Sequence, residues 1–325
     1  MLSLSIFFAF LLVTATTGVA HGFVRQMIVN GVAYGGYLPN KYPSMSKPPT
    51  LAAWSEKQTN LGFVSPNEYT TPHIICHRDA ANAGGYVTVK AGDSVWLQWN
   101  GWPTGHVGPI LDYLAPCGSK GCETVDKSSL KFFKIADAGL RNGSNKFYTD
   151  VLAQNKGWLV RIPEKLKPGD YVLRHEIIAL HGSGKMNGAQ NYPQCFNIKV
   201  EGSGTELPDG MFATQFYKPD DMGILVSVYG NFHSYRIPGP GVIDIGGLVE
   251  QTISTATTTA NATISASSSA TGSVVSTTSG SAAKTAGQAS ITTGSVSGFE
   301  TRVRSSNVPK TSAVQHSSGN RQWAS

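Results

Sequence analysis

The chain has 325 residues, 40% of them hydrophobic and 14% charged, with a formal net charge of +6. From position 251 onward five basic residues (Lys284, Arg302, Arg304, Lys310, Arg321) face one acid, Glu300, so +4 of that total belongs to the C-terminal stretch and +2 to residues 1–250. A basic balance so placed says little about a nucleic-acid partner, which a secreted chain would not be expected to have, and no run beyond the N-terminus is long and apolar enough to span a bilayer.

Residues 1–20 carry an uncharged apolar run, Ile6 to Val13, followed by small residues ending in Gly18-Val19-Ala20. That is the pattern of a secretory signal peptide cleaved after Ala20, although no Lys or Arg precedes the apolar run. An extracellular location follows as the expectation. Residues 21–250 are then one domain, large enough to bury a proper core.

Short β-type runs recur along it between Gly and Pro punctuation. Tyr86 to Val89 and Ser94 to Trp99 flank the turn Ala91-Gly92-Asp93; Trp158 to Ile162 and Tyr171 to Leu180 flank Lys167-Pro168-Gly169-Asp170; Cys195 to Val200 follows. Such spacing suggests an all-β, antiparallel β-sandwich with functional loops at its ends. One short helix is expected, around Ser128 to Ala138.

The four cysteines, Cys76, Cys117, Cys122 and Cys195, have no zinc-site spacing. An even number in a secreted chain favours two disulfides. Of three pairings, the one that clips Cys117 to Cys122 leaves Cys76 with Cys195, a closure long enough to stabilise by roughly 5 kcal/mol on the loop-entropy model. Asn142-Gly-Ser144 and Asn261-Ala-Thr263 are candidate N-glycan acceptors. From about 251 to 325 Ser, Thr, Ala and Gly dominate, a composition that cannot offset the entropy of ordering. A disordered tail is expected there.

Cleavage after Ala20 would leave His21 with a free α-amine beside its imidazole, two nitrogens that chelate one metal ion. The amine has an ordinary pKa near ~7.7–8.0, low enough to be freed for a metal at mild pH. A second imidazole, from His106 in the turn-rich loop Trp102-Pro103-Thr104-Gly105-His106, would complete three nitrogens, a set that suits tetragonal Cu(II). Tyr192 offers an axial oxygen, and His181, at a strand end, and Gln190 are outer-sphere donors. Taken singly, each has an ordinary reading: a surface His106, a core Tyr192, a structural His181. His175-Glu176 is no zincin motif, since position 179 is Ala.

In these residues the sequence resembles the fungal cellulose-active lytic polysaccharide monooxygenases of auxiliary activity family nine. The resemblance runs through His21-Gly22-Phe23-Val24, Tyr34-Gly35-Gly36-Tyr37, Thr71 to His77, Gly105-His106-Val107-Gly108-Pro109, Tyr171 to His181, Gly188 to Cys195 and Tyr235-Arg236-Ile237-Pro238-Gly239-Pro240. It implies an immunoglobulin-like sandwich with a flat active face and one mononuclear copper. His21 and His106 would be the equatorial ligands, Tyr192 axial, His181 and Gln190 the outer-sphere pair, and Tyr235 a surface aromatic that contacts glucan. The implied reaction is oxidative cleavage of β-1,4-glucosidic bonds at C1 or C4, with an external electron donor and O2 or H2O2, by a monomer. Ser44 stands where some relatives carry an aromatic, so the sugar-stacking surface is expected to be weaker or differently centred. A glycoside hydrolase, which needs a carboxyl pair across a cleft, and a non-catalytic copper- or cellulose-binding module are the competing classes.

Overall fold

The computed structural model describes residues 22–57, 62–230 and 233–264. The leader at 1–20 and the stretch 265–325 lie outside the described residues, as does His21. Eleven strands are found in this part: β1 Val24–Val29, β2 Val32–Gly35, β3 Val87–Lys90, β4 Ser94–Trp99, β5 Ile110–Pro116, β6 Lys131–Ala138, β7 Gly157–Arg161, β8 Gly169–Ala179, β9 Gln190–Glu201, β10 Met211–Phe212 and β11 Thr258–Ala260. Two short helices accompany them, α1 His73–Cys76 and α2 Thr149–Asn155. Among the described residues no helix is long and apolar enough to cross a membrane.

The strands form two sheets, ordered β11-β2-β1-β4-β7 and β10-β6-β5-β8-β9-β3. Pairing is antiparallel except at two edges, where β3 runs parallel to β9 and β11 parallel to β2. Alternation along each strand assigns its faces. Val95, Leu97 and Trp99 of β4, Trp158 and Val160 of β7, and Leu173 and Ile177 of β8 share the core between the sheets. The opposite positions of β8, Val172 and Ile178, join Tyr69, Ile74 and Phe216 in a second core under the loops and α1. The outer face of the five-stranded sheet buries Ile28, Trp96 and Leu159 beneath Val249.

Both disulfides have the expected partners, Cys76–Cys195 and Cys117–Cys122. Cys76–Cys195 ties α1 to β9, next to the strand start that carries Gln190 and Tyr192. Two expectations change. The segment expected as a helix is a 3-10 turn at Lys127–Ser129 followed by β6, because Lys131 to Ala138 pairs with β5 and packs on both faces. The stretch expected to be disordered from 251 is instead part of the fold up to 264. The Gln251 side chain accepts the Leu159 N–H at 2.8 Å and donates to its carbonyl at 3.0 Å, while Thr258–Ala260 adds to the β2 edge. Backbone pairing onto an existing edge needs no apolar side chains, which is why composition misleads there.

Candidate functional site

The described chain begins at one end of the sandwich, pinned by side chains. Phe23 donates its N–H to Asn100 Oδ1 at 2.8 Å and accepts from the Asn100 N–H at 3.0 Å; Val24 donates to Gln194 Oε1 at 2.8 Å. Gly22 fits only as glycine, since a Cβ there would lie 2.2 Å from the Gly101 carbonyl and 3.0 Å from the Trp99 ring. His21 itself is not described, but its neighbour is held against the end of β4.

His106 lies in the loop that leaves β4. Its N–H closes a turn onto Pro103 (3.0 Å), and its carbonyl accepts the Trp102 indole N–H at 2.9 Å. The loop then rejoins the sheet: Leu180 donates to Val107 at 2.7 Å and Ile178 to Pro109 at 3.1 Å. Gly108 is required by this approach, as a Cβ would meet the Ile178 carbonyl at 1.9 Å. The result brings His106 over His181, with ring centroids 3.9 Å apart and planes inclined by 37°.

His181 follows β8 by two positions. Its Nδ1 is buried and, among the described residues, has no hydrogen-bond partner; burial lowers its pKa from the ordinary value, favouring neutral imidazole. Two contacts lace this loop to the segment carrying Tyr229. Val226 donates to the Ser183 carbonyl at 3.0 Å, and the Tyr229 hydroxyl donates to the His181 carbonyl at 2.9 Å.

Gln190, Tyr192 and Gln194 occupy alternate positions of β9 and so share one face. The Tyr192 hydroxyl donates to Gln190 Oε1 at 2.8 Å, and its ring packs edge-on against Trp102 with centroids 5.1 Å apart. Burial pushes this hydroxyl well above the usual tyrosine pKa, so it stays protonated. Asn191, on the opposite face, is committed to the buried Glu176 and Tyr69.

His106, His181, Gln190 and Tyr192 are thus gathered at the end of the sandwich where residue 22 is seated. Among the described residues no three His, Cys, Asp or Glu side chains converge as a metal site. Among the described residues the donors gathered there are the imidazoles of His106 and His181 and the Tyr192 phenol, next to the seat of Gly22. Imidazole nitrogens with one oxygen, including a His181 nitrogen that has no hydrogen-bond partner among the described residues, suit copper better than calcium or magnesium.

Tyr235, expected as a surface aromatic, is half-buried. Its ring packs on Phe147 with centroids 5.1 Å apart and its hydroxyl donates to the Gly223 carbonyl at 2.8 Å, which turns it inward. The exposed aromatic beside the site is Tyr229, 72% exposed. Tyr229 and Trp102 were missed because neither lies on a periodic strand. A tyrosine followed by glycine in a loop was the only signal. Ser44 is exposed at the end of the 3-10 turn Tyr42–Ser44.

Comparison with known proteins identifies the family. The model of Auxiliary Activity family 9 (formerly GH61) matches residues 21–235. The chain is 51% identical over 227 residues to an AA9 family lytic polysaccharide monooxygenase D of Podospora anserina, covering 69% of this chain and 66% of that one. It is 49% identical over 259 residues to monooxygenase G of Emericella nidulans, covering 78% and 95%. A solved structure described as the extended catalytic domain of H. jecorina LPMO9A superposes with a TM-score of 0.73 at 49% identity, covering 75% of this chain and 100% of that one. By sequence and fold, the chain belongs to auxiliary activity family 9, the lytic polysaccharide monooxygenases, whose chemistry is copper-dependent.

Proposed function

We propose that this chain, released after Ala20 by removal of its leader and secreted, binds one copper through His21 and His106 and cleaves cellulose or a related β-glucan oxidatively. The observation that carries the reading is the stacking of His106 on His181 beside the Tyr192–Gln190 hydrogen bond, at the end of the sandwich where Gly22 is seated. His21 would contribute its α-amine and imidazole, His106 its imidazole, and Tyr192 its phenol oxygen. Bound copper supplies one-electron redox chemistry and activation of O2 or H2O2, with electrons from an external donor.

The chain's own residues do the rest. Tyr192 and Trp102 wall the inner side of the site and exclude water from it. The His181 imidazole and the Gln190 amide would stand beside the metal as polar groups that give or accept a hydrogen bond. Tyr229, exposed and tied to the His181 carbonyl, offers an apolar ring to a glucose face. Asn142 and Asn261 are both exposed, as N-glycan acceptors must be.

Product analysis decides the matter. Incubation with cellulose and ascorbate is expected to release oligosaccharides oxidised at C1 or C4, read by mass spectrometry. Unoxidised products alone would mean hydrolysis, and adsorption with no soluble product would mean a binding module.

A further inference from the structure

Asp112 and His175 form a buried pair that the proposed chemistry does not use. Both point into the core between the two sheets, from β5 and β8, with His175 Nδ1 2.6 Å from Asp112 Oδ1. Each is also bonded across the core to a tryptophan of the opposite sheet. Trp158 Nε1 of β7 donates to Asp112 Oδ2 at 2.9 Å, and Trp99 Nε1 of β4 donates to His175 Nε2 at 3.2 Å. An indole nitrogen can only donate. His175 Nε2 is therefore the acceptor, Nδ1 carries the proton, and the order Trp99 to His175 to Asp112 runs in one direction.

The far end of this clasp reaches the site. Trp99 is the last residue of β4, and its ring lies where a Cβ on Gly22 would be 3.0 Å away. The same ring meets Trp102 edge-on at 5.3 Å, and Trp102 holds the His106 carbonyl. One indole therefore supports both the residue next to His21 and the loop of His106. On the other side, His175 belongs to the strand that ends beside His181.

We infer that Asp112 and His175 are positioning residues for the copper site, fixing the Trp99 indole and through it the separation of the two histidine arms. The inference rests on the copper-binding reading above. Burial of a carboxylate and an imidazole in the inter-sheet core is costly unless each is fully bonded, and a fixed platform under both arms is what that arrangement provides.

Asp112→Asn is close to isosteric but puts an amide donor where one of two N–H donors now finds an acceptor. This variant is expected to keep both disulfides and a β-type circular dichroism spectrum, to bind Cu(II) about 10- to 100-fold more weakly by chelator competition, and to show an altered paramagnetic spectrum. His175→Gln can accept from Trp99 and donate to Asp112, and should stay within about threefold of the parent. Should Asp112→Asn fail to fold, Trp99→Phe keeps an aromatic platform without the N–H and is expected to shift affinity and spectrum in the same direction. Parental affinity and spectrum in folded Asp112→Asn or Trp99→Phe, alongside loss of copper in His106→Ala, would overturn the positioning role alone. Parental copper binding by His106→Ala would overturn the copper-binding reading and this inference together.

Discussion

The imidazole of His106 lies 3.9 Å from that of His181, although the two follow strands of different sheets. His106 leaves β4 of the five-stranded sheet and His181 ends β8 of the six-stranded one. This end of the sandwich is therefore a seam between sheets, and its geometry depends on how the sheets are clasped.

That contact predicts a division of labour. His106→Ala is expected to abolish tight Cu(II) binding. His181→Ala should retain copper, measured by titration calorimetry, while turnover on cellulose falls by about 10- to 100-fold, the usual scale for outer-sphere groups. Loss of copper from His181→Ala would exchange the two roles.

A second prediction concerns the terminus. One extra residue before His21 converts its α-amine to an amide, which is not basic and does not chelate. Protein made with an added Met or Ala is expected to fold with the same disulfides and the same apo thermal transition. Its copper affinity should fall by orders of magnitude, with no oxidised oligosaccharides above the level of free copper. Full activity would show that the amine is not a ligand.

The two tyrosines of the C-terminal segment should separate binding from stability. Tyr229→Ala removes an exposed ring and should weaken adsorption to cellulose severalfold without moving the thermal transition. Tyr235→Ala removes a ring packed on Phe147 and a hydroxyl bonded to Gly223, and should destabilise by roughly 2–4 kcal/mol. Adsorption isotherms and apo denaturation curves check both.

Glu56 and His77 give stability a pH dependence. His77 Nδ1 accepts the Arg78 N–H at 2.9 Å and lies 3.0 Å from Glu56 Oε2, so the proton between them belongs to the carboxyl. Burial raises Glu56 from 4.5 to about 7 and lowers His77 from 6.5 to about 3. For Glu56 the stabilisation is full below 4.5 and lost as pH rises through 7; for His77 it is full above 6.5 and lost as pH falls towards 3. Glu56→Gln supplies a permanent donor and removes only the first loss. Its apo melting temperature should exceed the parent's at pH 8, by about 2–4 °C for each kcal/mol recovered, and match it near pH 5. Equal curves at both pH values would sink this account.

Much of the fold was legible because β4, β8 and β9 carry period-two patterns between strong turn signals, and the parity of β8 places Leu173, Ile177 and Ala179 in the inter-sheet core. His106, His181, Gln190 and Tyr192 were proposed from their chemistry and from a family resemblance, and the fold brings them to one end of the sandwich. What stayed hidden was tertiary. β6 has buried residues on both faces, which erases its period and let it pass for a helix. Tyr235 and Tyr229 look alike in sequence, and only packing against Phe147 tells them apart. Asp112 and His175, 63 positions apart, have no local signature at all.

The C-terminal segment has a consequence for the molecule's sociability. At one border of the five-stranded sheet β11 occupies the rim of β2, and at the other the Gln251 amide mimics a passing backbone at Leu159. The chain's own continuation thereby covers the β2 rim and the free backbone groups of Leu159 on β7. A fragment cut at 250, where composition alone would place the boundary, would uncover the β2 rim and the Leu159 backbone and should self-associate more than the longer chain, while still holding His106, His181, Gln190 and Tyr192.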